Sequence, residues 1–328
     1  MMLKIAVAVG AVAFVLLDAN PSLWMYDKLT PSNAFFENKN VWITGASSGI
    51  GAELAVQLSE AGANVVISAR RENELEAVKG KCKAGSSVKV VPLDVTDQEA
   101  MHRSVEDVVQ GHFGKQGLDI LILNAGKSQR LPAVKTDLQM TRDLMKLNFD
   151  SLVDMTLQVM KVDKWAEKEK GHIVVTSSVA GKLPVALSSS YAATKAAVNG
   201  YFSSLRSEFS WLRVDIVCPG PIATPIARNA ASSAEGTKLL QNESDDNKMP
   251  VDRFTKLMLS GVKGPKQLFY ETWISQQPAL LFTGVAQYLP TVAINLSKVV
   301  GPKRIQAFEA GKDVYKMSSW VTRDDVEK

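Results

Sequence analysis

Tyr191 and Lys195 lie four residues apart in the run Ser190-Tyr191-Ala192-Ala193-Thr194-Lys195, at the start of a strongly helical pattern. That spacing puts both side chains on one helical face. A tyrosine hydroxyl titrates near ~10, too high for easy proton exchange at neutral pH, and a nearby ammonium favours the phenolate and lowers that value. The pair thus reads as a proton donor and its activator; a surface pair on an amphipathic helix is the competing reading. Ser178 ends the strand-like run Gly171–Ser178. From a strand end its hydroxyl can donate to a substrate carbonyl and hold it against Tyr191, a catalytic and substrate-binding role for which Ser177 is the alternative. Asn148, in Lys146-Leu147-Asn148-Phe149, sits inside a helical pattern where asparagine is a poor former. That local cost suggests a role, such as holding a water near Lys195; an exposed asparagine is the plain alternative.

A second group of residues suits a nucleotide. Thr44-Gly45-Ala46-Ser47-Ser48-Gly49-Ile50-Gly51 follows one strand pattern and opens a helical one. Gly45 permits a tight turn, and Gly49 and Gly51 let a pyrophosphate approach the free N–H groups of the helix start. Ser47, Ser48 and Ile50 complete this loop; an unoccupied turn is the alternative. The next strand ends Ile67-Ser68-Ala69-Arg70-Arg71. A carboxylate at such a strand end binds a ribose 2′-hydroxyl, and a basic residue suits a 2′-phosphate. Arg70 therefore predicts NADP(H) in preference to NAD(H), with Arg71 read as a solvated arginine. Asp94 closes the third strand, where it can accept from the adenine amino group; Asp97 is the better helix cap. Asn124-Ala125-Gly126 ends the fourth strand, its backbone passing near the ribose and the Asn124 side chain able to tie strands together. Pro219-Gly220-Pro221-Ile222-Ala223-Thr224 leaves the sixth strand as a rigid turn that can run beside a nicotinamide carboxamide, through Pro219, Gly220, Ile222 and Thr224.

The elements that must position these groups alternate. Strands are expected at Val41–Thr44, Asn64–Ser68, Val88–Leu93, Asp119–Leu123, His172–Thr176, Val214–Cys218 and Leu268–Trp273, with helices such as Gly49–Ala61, Glu99–Phe113, Leu138–Met160 and Ser189–Trp211 between them. Apolar runs without period-two alternation indicate strands buried on both faces. The prediction is a single α/β domain, a doubly wound parallel sheet with ligands at the carboxyl ends of the strands. The polar stretch Asn229–Lys248 is the longest expected loop and a candidate lid.

Both termini depart from this pattern. Ile5–Leu17 is thirteen uncharged residues behind Lys4. As a helix it spans ~20 Å, short of a bilayer core, so 1–20 reads as a hydrophobic signal-anchor or signal peptide, and 21–38 as a connector to the domain at 39–275. The 276–328 extension begins with Pro278–Ser297, twenty uncharged residues broken at Pro290 and followed by Lys298, Lys303 and Arg304. It reads as a helical cap or dimer surface, or as a membrane-contacting helical pair.

Composition narrows the field. A net charge of +4, from 38 basic and 34 acidic residues among 328, gives no reason to expect a nucleic-acid partner. Two cysteines, Cys82 and Cys218, make no disulfide framework, and three widely separated histidines predict no metal site.

TGASSGIG, NAG, the Ser178–Tyr191–Lys195 spacing and PGPIAT occur in this order, each at a strand end. Together they resemble the short-chain dehydrogenase/reductase family from roughly Lys39 to Ser275. The resemblance implies a Rossmann fold and hydride transfer between a nicotinamide and a carbonyl. The implied tetrad is Asn148, Ser178, Tyr191 and Lys195, with Lys195 also binding the nicotinamide ribose and Asn148 holding a relay water. Asn124–Arg130, Thr272–Pro278 and the apolar N-terminus look like a subgroup associated with the endoplasmic reticulum membrane and with NADPH-linked reduction of retinal, steroid and quinone carbonyls. A secreted or lumenal protein is the alternative if the leader is cleaved. The expected partner is a small apolar carbonyl or alcohol, with membrane association through the N-terminus; the family also implies a homo-oligomer. Leu123 departs from the family, many members of which carry a second asparagine there. The competing functions are an NAD-dependent alcohol, steroid or retinol dehydrogenase and a catalytically silent nucleotide-binding scaffold.

Overall fold

In the computed structural model of the chain, seven short apolar runs pair into one parallel sheet of order β3-β2-β1-β4-β5-β6-β7. The structure describes residues 17–30, 33–233, 245, 248–266 and 268–314. The strands are β1 (Asn40–Thr44), β2 (Asn64–Ala69), β3 (Val88–Pro92), β4 (Ile120–Leu123), β5 (Gly171–Thr176), β6 (Leu212–Pro219) and β7 (Glu271–Ile274). Six strands fall within two residues of the expected bounds. The seventh starts later, because Leu268 lies in a turn before the backbone meets β6 at Glu271.

Both faces of the sheet are covered, so successive side chains enter two separate cores. Val41, Ile43, Val65 and Ile67 pack in one, and Trp42, Val66, Leu121 and Ile173 in the other. This double burial explains the unbroken apolar runs. Leu123, where many family members have asparagine, is buried in the second core.

The helices are α1 (Pro21–Leu29), α2 (Gly49–Glu60), α3 (Glu72–Lys79), α4 (Gln98–Glu106), α5 (Leu138–Met145), α6 (Ser151–Val162), α7 (Ser189–Glu208), α8 (Val251–Lys263), α9 (Ala279–Tyr288) and α10 (Pro290–Glu309), with shorter turns besides. Asp97 caps α4, accepting from the Ala100 N–H at 3.0 Å. The helix expected over 138–160 runs on, but a π-turn at Lys146–Asp150 separates α5 from α6. After β1 the chain winds outward to β3, then returns to place β4 on the other side of β1. The carboxyl ends of β1 and β4 therefore flank the switch point of the sheet, the usual ligand crevice in such folds.

The 21–38 stretch, expected as a connector, is part of the body of the fold. The Asn20 N–H donates to the Trp273 carbonyl at 3.0 Å, and Asn20 Oδ1 accepts from the Trp273 N–H. Arg253 of α8 grips Asp27 of this segment at 2.7 Å and, just before it, Asp18 at 2.8 Å. Burial works to raise the Asp27 pKa, but its bonds to Arg253 and Ser260 prevail and hold the carboxyl below the ordinary range. Residues 1–16, most of the expected leader, lie outside the described residues. Among the described residues no helix is long and apolar enough to cross a membrane. In the 276–328 extension, Pro290 starts α10 as its first residue rather than ending a helix. Phe308, with Ile305 beside it, packs with Leu187 and Ala230.

Candidate active site

A cleft of about 1070 Å³ opens along the carboxyl ends of the strands. Of the predicted site residues, Gly45, Ser47, Ser48, Gly49, Ile50, Arg70, Asp94, Asn124, Ala125, Gly126, Ser178, Tyr191, Lys195, Pro219, Gly220, Ile222 and Thr224 line it. Gly51 and Asn148 do not.

The glycine loop turns at Gly45, whose φ is +67°. A Cβ there would stand 2.7 Å from Ala125 Cα, so β1 and β4 meet too closely for any other residue. Gly51 serves packing rather than a phosphate. A Cβ on it would collide with the Gly45 carbonyl and come within 2.8 Å of Asn124 Nδ2. The expected pyrophosphate role thus falls to Gly49 and its neighbours. Ser48, the N-cap of α2, makes no side-chain cap bond, which leaves the first N–H groups facing the cleft end of the helix.

At the end of β2, Arg70 makes no hydrogen bond or ion pair among the described residues, and its charge acts on Asp94. Arg71 pairs with Glu74 at 2.8 Å and reaches Ser47 Oγ at 3.4 Å. It lines the cleft beside the glycine loop, a position that a reading as a solvated helix-start arginine missed. Asp94 Oδ1 accepts from the Thr96 N–H at 2.9 Å and the Thr96 hydroxyl at 2.7 Å. Burial works to raise its pKa, but these bonds and the charges of Arg70 and Lys146 hold it low, so it is a fixed acceptor.

Asn124 ties three strands. Its Nδ2 donates to the Thr44 and Gly45 carbonyls at 3.3 and 3.2 Å, and its Oδ1 accepts from Thr176 Oγ1 at 3.2 Å. Asn148 is fully buried in the π-turn. Its Oδ1 accepts from the Lys127 N–H at 2.9 Å, and its Nδ2 donates to the Lys127 carbonyl at 2.9 Å and to Thr194 Oγ1 at 3.1 Å. The amide therefore clamps the segment after β4 to α7, which accounts for the helix-disfavouring residue, and the exposed alternative is excluded.

Ser178, Tyr191 and Lys195 converge. The Ser178 hydroxyl lies beside the Tyr191 phenol and acts to lower its pKa. Ser178 Oγ also accepts from the Ala180 N–H at 3.1 Å and lies 3.5 Å from the Pro219 carbonyl. Ser177 is committed elsewhere, donating to Asn199 Oδ1 at 2.6 Å. Lys195 Nζ donates to the Thr176 carbonyl at 2.8 Å and lies 5.8 Å from the centre of the Tyr191 ring. Burial pushes the phenol pKa up, and the Ser178 hydroxyl and the Arg130 charge pull against it. Burial lowers the Lys195 pKa from 10.5 to about 8. Arg130, buried at the end of the Asn124–Arg130 stretch, is a charge near the phenol, a role the sequence reading did not assign to it.

The far end of the cleft is assembled from separate stretches. The Arg130 N–H donates to the Ala231 carbonyl at 2.9 Å, and the Ala231 N–H to the Ser128 carbonyl at 2.7 Å. Ala231 lies near the start of the Asn229–Lys248 stretch read as a lid; residues 234–244 and 246–247 of that stretch lie outside the described residues. Met140, Leu144, Leu147 and Ile226 add apolar surface to the cleft.

A glycine turn at the switch point, a Ser–Tyr–Lys cluster at the ends of β5 and α7, and a basic end of β2 are the parts of a nucleotide-dependent oxidoreductase. Comparison with known proteins agrees. Residues 39–235 match the short chain dehydrogenase family. Dehydrogenase/reductase SDR family member 7 of Homo sapiens is 40% identical over 282 residues, covering 83% of this chain and 80% of its own. Levodione reductase shares the fold, with a TM-score of 0.66 at 21% identity over 75% of this chain and 99% of its own. A Sphingobium yanoikuyae short-chain dehydrogenase solved in complex with NADPH has a TM-score of 0.61 at 28% identity, covering 72% of this chain and 87% of its own. The chain belongs to the short-chain dehydrogenase/reductase family and is an NAD(P)-dependent oxidoreductase.

Proposed function

We propose that the protein is an NADPH-preferring carbonyl reductase of apolar ketones and aldehydes, of retinal, steroid, quinone or xenobiotic type, held at the endoplasmic reticulum membrane. The observation that carries the reading is the convergence of Ser178, Tyr191 and Lys195 on one cleft whose other end offers Arg70 and Arg71 and no acid at the end of β2. The residues present fit the coenzyme: N–H groups at the start of α2 without a side-chain cap, two arginines for a 2′-phosphate, and a buried ammonium that donates to the Thr176 carbonyl. When bound, NADPH supplies the hydride. The rest is the work of the chain. Ser178 exchanges its long contact with the Pro219 carbonyl for the substrate oxygen. Tyr191 gives that oxygen the phenolic proton. The Lys195 ammonium offsets the charge left behind, and the apolar lining keeps water away.

Membrane association is supported by apolar side chains turned to solvent on α9 and α10, among them Tyr288, Leu289, Val292 and Val299, next to Lys298 and Lys303. The Asp18–Asn20 segment is fastened beside β7. Trp273 of β7 contacts Tyr288 of α9, so the Asp18–Asn20 segment and α9 meet at the same edge of the sheet.

The test is a carbonyl-substrate screen with both coenzymes, using Tyr191→Phe as the blank and Arg70→Asp as the coenzyme probe. Tyr191→Phe should lose about a thousandfold in kcat. Arg70→Asp should lower the NADPH:NADH ratio of kcat/KM at least ~10-fold. NADPH binding with no turnover, and Tyr191→Phe indistinguishable from the parent, would favour a silent scaffold, and an unmoved ratio would refute the coenzyme preference.

A further inference from the structure

The first turn of α7 holds Tyr191, yet its own N-cap supplies nothing: the Ser188 side chain makes no cap bond. The acceptor arrives from 61 residues away. Gln129 Oε1 accepts from the Ser190 N–H at 2.9 Å and from the Tyr191 N–H at 3.2 Å. These are the second and third N–H groups of the helix, the ones a local cap would satisfy. A backbone N–H can only donate, so the amide must face them with its oxygen. Its nitrogen then donates to Thr136 Oγ1 at 2.8 Å. Gln129 is fully buried, so water does not replace either bond.

Neighbouring atoms tighten the same junction. The Ser188 hydroxyl donates to the Gln129 carbonyl at 3.1 Å, and Arg130 Nη1 donates to that carbonyl at 2.7 Å and to Ser188 Oγ at 3.0 Å. The Leu131 N–H donates to the Leu187 carbonyl at 2.9 Å. Leu187 itself has a φ of +71°, a left-handed conformation that a leucine holds only when its surroundings enforce it. The entry to the catalytic helix is thus strained, and the Gln129–Leu131 segment keeps it in place. Loss of the acceptor lets the entry relax, and the phenol moves with the backbone that carries it.

We propose that Gln129 is a positioning residue for the reaction, a cap supplied from the segment after β4 that fixes Tyr191 against Ser178. The proposal rests on Tyr191 being the proton donor of the proposed function. Three variants test it: Gln129→Met, of similar size without the acceptor; Gln129→Glu, which keeps an acceptor oxygen beside Arg130; and Thr136→Val, which loosens the amide from behind.

Gln129→Met should lower kcat about tenfold while the NADPH KM stays within about twofold. Gln129→Glu should bring kcat back to within about threefold of the parent, and Thr136→Val should cost about threefold. A second readout needs no turnover. In protein labelled with [13Cζ]tyrosine, with the Tyr191 signal assigned by Tyr191→Phe, Gln129→Met should move the phenol titration upward as the phenol leaves the Ser178 hydroxyl. A Gln129→Met protein matching the parent in kcat and titration overturns the proposal. So does a fall in kcat shared with coenzyme affinity, or one that Gln129→Glu fails to relieve. Should Gln129→Met not fold, Thr136→Val decides, and an unchanged kcat and titration there overturns it. Parent protein silent across the carbonyl screen would count against the proposed function, while the titration would still report on the clamp.

Discussion

At the coenzyme end of the cleft the contacts are made by backbone, and at the substrate end by side chains drawn from distant stretches of chain. Gly45, Gly51 and Ala125 approach one another so closely that the main chain itself shapes the crevice. Beyond Tyr191, Gln129, Arg130, Ser188, Ala231 and Phe308 come from four segments, and each holds another in place. A backbone-built site is hard to vary, because every residue added to it collides. A site built from side chains can be retuned one contact at a time while the fold stands. That contrast suits an enzyme with a constant coenzyme and a variable substrate.

The comparison can be broken by substitution. Gly45→Ala should be the most severe change, because the added methyl meets the Ala125 backbone at 2.7 Å and the φ of +67° strains any side chain. We expect coenzyme affinity to fall about a hundredfold, read by quenching of tryptophan fluorescence. Retained affinity would show that the crevice is softer than its geometry implies. At the boundary of the two ends, Lys195 should impose an alkaline limit on reduction. Its ammonium is lost as pH rises through about 8. Above that point kcat/KM should fall about tenfold per pH unit, and a flat profile to pH 9 would remove Lys195 from the step. At the substrate end, Phe308→Ala should open the contact with Leu187 and Ala230. The expected result is a substrate KM raised about fivefold, with coenzyme affinity within twofold. Equal damage to coenzyme binding would mean that the two ends are not separable.

The same contrast explains what could be read from the sequence. The strands were legible because burial on both faces leaves runs such as Val41–Ile43 or Val65–Ile67 with no polar alternation. The Tyr191–Lys195 pair and the glycine turn were legible because their spacing is local. Gly51 was legible as a glycine but not as a packing glycine, since the pattern is silent on whether a phosphate or the Gly45 carbonyl excludes its side chain. Asn148 advertised a cost without its partner, because Lys127 reaches it only through the fold. Gln129 lies in the Asn124–Arg130 stretch that marks the subgroup, but nothing there announced its role. Its acceptor serves a helix that starts some sixty residues later, and no local pattern links the two. The 21–38 stretch misled for the same reason: Asp27 finds its counterion on α8, far along the chain.

Lys195 has a consequence for folding as well as for chemistry. Its pKa is 10.5 in the open chain and about 8 once buried, so the unfolded protein holds the proton more tightly than the folded one. Below pH 8 the folded state bears the whole penalty, about 3 kcal/mol; it shrinks as pH rises from about 8 to 10.5 and vanishes above. The resting enzyme is therefore less stable than its sequence permits, by an amount set at one atom. Lys195→Met should melt several degrees higher than the parent at pH 7, with that advantage gone by about pH 11. The tension in this site is released either by losing the activity or by binding a ligand that offers the ammonium more oxygen.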